Sequence, residues 1–355
     1  MGRYRAVIWS GVREVAWDEV DSAPLGDRDV TIQVAATGIC GSDLHAYRGK
    51  HPFRRPPVVL GHEVAGRVVK VGSDVDQDLM GARVAVEPIR SCGQCDLCRK
   101  GAYHLCRSRV LPGTESWQGS FAEFFSAPAE RVYPLPKSLD WVGGSLIEPL
   151  AVGNHAVERA GEPNGCALGV FGAGTIGLAA LLAAQAKGWE KIAVTDIRSD
   201  RLQVAEKLGG IPVVARGSSG SAEAVRAAAG GDVGAVVIAS DYEMAVSDAA
   251  AVVRPGGCVV LAALFETEPR FDPNAFVVQE VTLSGSVLYR RSDYLAVLGR
   301  LEDPSEVSRA RELVTHEVPL ERAAEAFRWV DEGKAGMGKV VLTGNATTRL
   351  EVADD

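Results

Sequence analysis

Short apolar runs broken by glycine and proline fill the first part of the chain, at Ala6–Trp9, Val30–Ala36, Val58–Leu60, Val64–Val71, Arg83–Glu87 and Glu130–Tyr133. Runs this brief and this closely spaced predict a largely antiparallel, barrel-like β domain. The pattern changes after Pro149. Between about 153 and 284, apolar strands at Ala167–Phe171, Lys191–Thr195, Ala235–Ala239 and Cys258–Ala262 alternate with helical stretches such as Ile176–Lys187 and Ser199–Leu208. Strand and helix in alternation predict a doubly wound parallel sheet, and so an α/β fold overall. From Gly285 the pattern is mixed again and closes on an apolar strand, Lys339–Leu342, before a polar, loosely ordered tail from Gly344 to Asp355. The expected plan is a first domain over 1–152, a second over 153–284, and a return to the first with the tail over 285–355. No internal repeat is visible.

Composition narrows the function. A chain of 355 residues is too long for one ordinary core, which agrees with two domains. Its 46% hydrophobic and 24% charged residues are those of a globular enzyme, and no run of eighteen apolar residues predicts a membrane span. The net charge is −8, from 38 basic against 46 acidic residues, with no basic stripe to follow a phosphate backbone. Nucleic acid is therefore not an expected partner. The opening MGRYRAVIW has neither a charged leader nor an apolar signal run, so a cytoplasmic location is expected.

Four of the seven cysteines fall within fifteen residues, as Cys92-x2-Cys95-x2-Cys98-x7-Cys106. Thiolates so spaced can wrap one tetrahedral zinc ion with no open position, the arrangement of a structural site in a lobe over 90–108. Disulfides would need an oxidising compartment and leave an odd cysteine over. An iron–sulfur ligand run would continue with a fourth cysteine after three residues, followed by proline, whereas Cys106 follows seven and precedes Arg107.

Gly172-Ala173-Gly174-Thr175-Ile176-Gly177 stands directly after an apolar strand and directly before an Ala/Leu-rich helix. In that context the glycines allow a tight turn, close approach of a pyrophosphate and close helix packing, while the helix N-terminus offers free N–H groups. Asp196 ends the next strand, nineteen residues after Gly177, where a carboxylate accepts hydrogen bonds from ribose hydroxyls and repels a 2′-phosphate. This favours NAD over NADP. Arg198 and Arg201 lie close by, and either could instead neutralise a phosphate.

A second set of ligand residues is dispersed: Gly38-Ile39-Cys40-Gly41-Ser42-Asp43-Leu44-His45, Gly61-His62-Glu63 and Glu148-Pro149-Leu150. With Gly119-Ser120-Phe121-Ala122-Glu123, the cysteine lobe and the glycine turn, these segments make the chain resemble the zinc-dependent medium-chain dehydrogenases, over its length to Leu342. Its nearest likeness is to the sorbitol and polyol branch. The resemblance implies a GroES-like catalytic domain beside a Rossmann domain, and a homodimer or homotetramer. It also implies a catalytic zinc held by Cys40, His62 and one carboxylate, Glu63 or Glu148; the sorbitol branch favours Glu63 as the resting ligand, with Glu148 as the catalytic partner that holds a water or moves onto the metal during turnover. A thiolate and a carboxylate neutralise the dication while an imidazole completes the set, leaving an open position and a Lewis acid. By the same resemblance Ser42 takes the hydroxyl proton of the substrate and passes it, through the cofactor ribose, to His45.

Two departures stand out. The family usually has Cys-Ser-Gly or Ala-Thr-Gly after the fourth strand of the parallel sheet, whereas this chain reads Ala239-Ser240-Asp241-Tyr242. Where sorbitol dehydrogenases carry Arg-Tyr, it has Leu288-Tyr289, so sorbitol itself is not the expected substrate. Tyr47, Trp117, Leu288, Tyr289 and Arg290 are candidate pocket residues by family position. The expected activity is NAD-dependent oxidation of a secondary alcohol in a small polyhydroxy substrate such as a sugar, polyol or cyclitol. A redox-neutral epimerase and a non-enzymatic binding protein on the same scaffold are the alternatives; Cys40, Ser42, His45 and His62 together speak against the second.

Overall fold

The computed structural model describes residues 2–215, 221–266, 268–334, 336 and 338–344. The expected loose tail therefore lies, apart from Gly344, outside the described residues. The chain divides into two units, one of Met1–Glu148, Leu301–Val307 and Val314–Asp355, the other of Pro149–Arg300 and Ser308–Leu313.

The first unit holds β1 (Arg3–Gly11), β2 (Glu14–Asp21), β3 (Asp29–Gly38), β4 (Val58–Val59), β5 (Glu63–Val71), β6 (Arg83–Val86), β7 (Phe124–Pro128) and β8 (Val132–Pro134). The second holds β9 (Leu168–Phe171), β10 (Ile192–Asp196), β11 (Ile211–Val214), β12 (Val233–Ile238), β13 (Val253–Leu261) and β14 (Thr282–Gly285). The chain then returns to the first unit with β15 (Val314–Pro319) and β16 (Lys339–Thr343).

In place of one barrel, the first unit has two sheets. One is small, in the order β2-β1-β4; the other runs β15-β16-β3-β5-β6-β8, with β7 also paired to β3. Burial explains their sequences. Nine of the ten residues of β3 are buried, because partners flank it and side chains cover both faces, whereas the sheet-edge strand β2 alternates half-buried and exposed positions. That alternation carries too few apolar residues to stand out as a run, so β2 was not legible beforehand. The predicted Glu130–Tyr133 strand begins as a 3-10 turn, Ala129–Arg131, before β8.

The second unit is an all-parallel sheet in the order β11-β10-β9-β12-β13-β14. This is the dinucleotide-binding order, with the chain reversing direction across the sheet beside β9. The unit runs on to Arg300 instead of ending at 284, because β14 completes the sheet edge and the helix Arg291–Arg300 belongs with it.

A buried polar knot joins the cysteine lobe to the large sheet. Glu87 is fully buried just after β6; its carboxylate accepts from Tyr133 Oη at 2.9 Å, from Arg131 Nη1 at 3.2 Å and from the Tyr103 hydroxyl, and Tyr103 belongs to the lobe. Removing the carboxylate strands a cation and two hydroxyls in the interior. Glu87→Ala is expected to cost about 3–5 kcal/mol in urea unfolding. A loss below about 1 kcal/mol would show that the knot is solvated.

Candidate metal centres and nucleotide site

In the lobe, the sulfurs of Cys92 and Cys98 lie 3.8 Å apart, Cys95 and Cys98 3.4 Å, Cys92 and Cys106 3.6 Å, and Cys95 and Cys106 4.0 Å. Zinc–sulfur bonds of about 2.3 Å in a tetrahedron place sulfurs about 3.8 Å apart, and a disulfide would bring them to about 2.05 Å. The four therefore fit one closed zinc site. N–H groups of Gln94 and Cys95 pull the Cys92 thiol down to about 6, while burial and the neighbouring Cys95 and Cys106 sulfurs push Cys98 up to about 11, so a metal must displace protons to hold all four as thiolates.

The second centre forms where two strands of the large sheet meet. The end of β3 delivers Cys40 to the N-terminus of the short helix Gly41–Tyr47, and the start of β5 delivers His62 and Glu63. One ligand atom from each of Cys40, His62 and Glu63 lies within 4.8 Å of the others. Both Glu63 oxygens are buried; Lys339 meets Oε2 as an ion pair, and Oε1 has no hydrogen-bond partner. A cation at the trio would satisfy the remaining oxygen, so the residues fit a zinc ion with an open position. Glu148 is buried in the first turn of the helix Ile147–Ala160 and lies outside that trio.

Residues beyond the trio orient it. Asp43 is fully buried, 3.6 Å from His62 Nδ1; it also accepts from Arg54 Nη1 at 3.0 Å and from the Cys40 N–H at 3.0 Å. Burial alone would raise its carboxyl, but His62, Arg54 and the Cys40 N–H bring it down to about 2. Burial likewise works against His62 carrying a proton, yet Asp43 and Cys40 raise its pKa well above the ordinary range. A metal held by His62 must displace that proton. Lys339, 2% exposed, donates from Nζ to Ile39 O at 3.0 Å while facing Glu63. Burial would depress its ammonium, but Glu63, Cys40 and Glu148 hold its pKa above the usual value.

Sequence reasoning did not assign roles to Asp43, Arg54 and Lys339. A lysine opening an apolar strand was the available signal for Lys339, and Asp43 stood inside the segment that carried the resemblance. Ser42 and His45 sit three residues apart on the short helix, so they share a face, and Arg54 Nη1 reaches Ser42 Oγ at 3.4 Å. Two pocket candidates belong elsewhere. Tyr47 is core, packed on Phe327 at 5.1 Å, and Trp117 is buried beside Phe125 and under the Arg90 guanidinium. Trp117 lines a cavity of about 500 Å³ whose walls hold none of the candidate ligands. Tyr289 is buried against Tyr294 in the second unit.

Two of the glycines in the turn answer to local geometry. A Cβ on Gly177 would lie 1.7 Å from Gly172 O, so only glycine lets the helix Thr175–Ala186 pack there. Gly172 has φ +104°, a conformation that favours glycine, and a Cβ on Gly174 would meet only the Arg201 side chain, at 4.0 Å. Thr175 and Ile176 open the helix, with their N–H groups at its positive end. Asp196 accepts from Ala173 N at 2.8 Å and Arg198 N at 2.9 Å, and Arg201 Nη1 stands 3.6 Å from it. Arg198 is committed to Asp200. Gly172, Asp196, Arg201, Ser240 and Tyr242 line a cavity of about 200 Å³. The unusual Tyr242 donates to Asp248, which also accepts from Ser221 N.

The fold agrees with known proteins. Residues 26–137 match the alcohol dehydrogenase GroES-like domain, and residues 175–303 match the zinc-binding dehydrogenase family. The chain is 34% identical to D-xylulose reductase A of Aspergillus oryzae over 349 residues, 95% of this chain and 96% of that protein. Its fold is similar to 2R,3R-butanediol dehydrogenase from Bacillus subtilis, with a TM-score of 0.86 and 29% identity over 96% of this chain and 99% of that one. It is also similar to L-idonate 5-dehydrogenase from Escherichia coli, with a TM-score of 0.85 and 25% identity over 96% and 98%. The chain belongs to the zinc-binding dehydrogenases of the medium-chain, alcohol dehydrogenase type.

Cys95→Ser should remove the zinc of the lobe and lower the melting temperature while leaving Cys40, His62 and Glu63 in place. Elemental analysis of the folded variant checks this: retention of both ions would contradict a four-thiolate site.

Proposed function

We propose that this protein oxidises a secondary alcohol of a small polyol or sugar to the ketone, or reduces the ketone, with NAD as hydride partner. The observation that carries the reading is the trio of Cys40, His62 and Glu63, three ligands and not four. Relatives named for xylulose, butanediol and idonate support the substrate class.

Zinc supplies a Lewis acid when bound there, drawing electron density from the substrate oxygen. The chain's own groups do the rest. Ser42 accepts the hydroxyl proton, and His45, on the same short helix, is the group that passes it on to water. A bound nicotinamide would supply the acceptor for the carbinol hydrogen and its two electrons, leaving the carbonyl. Asp43 and Arg54 fix the ligands around this chemistry without touching substrate.

NAD is proposed over NADP because Asp196 presents a buried carboxylate at the ribose position. A cytoplasmic location is proposed on the four-thiol lobe, which needs reducing surroundings. No helix among the described residues is long and apolar enough to cross a membrane. Copies are proposed to associate through the second unit, where β14 leaves a sheet edge beside exposed Val277 and Val278, 70% and 77% accessible.

A panel of polyols and sugar alcohols assayed for NADH formation should give turnover with at least one secondary alcohol. No turnover across the panel with zinc-replete protein would overturn the reading. Asp196→Ala should raise kcat/KM for NADP relative to NAD by about tenfold or more; an unchanged ratio would assign selectivity to Arg201. Val278→Arg should lower the mass in light scattering to that of a single chain, and an unchanged mass would place the contact elsewhere.

A further inference from the structure

Lys339 is a charge without an assigned task. It lies on β16, which pairs with β3, while Glu63 opens β5 on the other side of β3. Gly38 is the β3 residue opposite both Glu63 and Val341. A Cβ on Gly38 would fall 1.9 Å from Glu63 Oε2 and 2.7 Å from Lys339 Cε, so the missing side chain is the space in which the lysine and the carboxylate meet. Lys339 Nζ also holds Ile39 O at 3.0 Å, next to Cys40. One buried cation thus bridges the two segments that deliver the ligand trio.

The charges around that bridge are balanced. Asp43 is paired with Arg54. A dication at the trio would be neutralised by the Cys40 thiolate and Glu63, leaving Lys339 to offset Glu148. We infer that Lys339 is a positioning residue for the proposed zinc centre: it clamps one oxygen of Glu63, leaves the other to the metal, and keeps the centre from becoming anionic, so that affinity for the ion is exchanged for electrophilic strength. The inference rests on the zinc-centre reading above and names a residue that reading did not require.

The test is zinc binding at the open site, measured on full-length protein by competition with a chelator after the lobe zinc is accounted for. Lys339→Met should bind this zinc about tenfold or more tightly, as expected when one buried positive charge near a dication is removed. In the cobalt-substituted protein its visible spectrum should change, because the freed oxygen can join the metal. Lys339→Arg should restore both the wild-type dissociation constant and the spectrum. A folded Lys339→Met that binds zinc as wild type does, or more weakly, would overturn the inference, as would an arginine variant that behaves like methionine. If Lys339→Met does not fold, Glu63→Gln with Lys339→Met, neutral at both positions, is compared with Glu63→Gln alone; equal affinities would overturn the inference. Wild-type protein that binds a single zinc, in the lobe, would overturn the underlying reading, and that result needs no variant.

Discussion

Negative charge gathered in a dry interior is the constraint around which the first unit is arranged. Asp43, Glu63 and Glu148 are each less than about 5% exposed, and Cys40 must become a thiolate to bind metal. Left unbalanced, such a cluster would cost several kcal/mol per ion. Arg54, Lys339 and a divalent cation supply the compensation, and their placement dictates local features that otherwise look arbitrary: a glycine at the end of β3, a lysine buried at the start of β16, and a histidine whose ring is set by Asp43. The return of the chain to the first unit has a chemical reason as well as a topological one, since β16 carries the counter-charge.

The second unit solves a different problem with neutral means. Its nucleotide site depends on backbone approach, so the sequence there is specified by what is absent. Gly177 lacks a side chain because Gly172 O occupies its place. Charge enters at Asp196, with Arg201 beside it; the carboxylate is held by the N–H groups of Ala173 and Arg198. A carboxylate fixed in this way discriminates by repulsion as well as by hydrogen bonding.

What could be read from the sequence divides along the same lines. Local signals were legible: the cysteine spacing, the glycine turn with its flanking strand and helix, and the fully apolar strands of the parallel sheet. Edge strands were not, since β2 and β15 mix polar residues through their length and β11 is only four residues long with a proline inside it. The ligands Cys40, His62 and Glu63 could be named from short segments, but Lys339 stands nearly three hundred residues from Cys40 and only strand pairing brings it near. Tyr47 and Trp117 failed as pocket residues for the converse reason: position along the chain does not say which way an aromatic ring turns, and both rings turned into the core.

The account's central claim is that each chain holds one closed sulfur site and one open site of mixed ligands. X-ray absorption at the zinc edge of the purified protein tests it most directly. Two sites of these kinds predict about 2.5 sulfurs per zinc at about 2.3 Å, with nitrogen and oxygen at about 2.0–2.2 Å making up the rest. A shell of about four sulfurs per zinc, with no lighter ligand, would contradict it, because only the cysteine lobe would then hold metal.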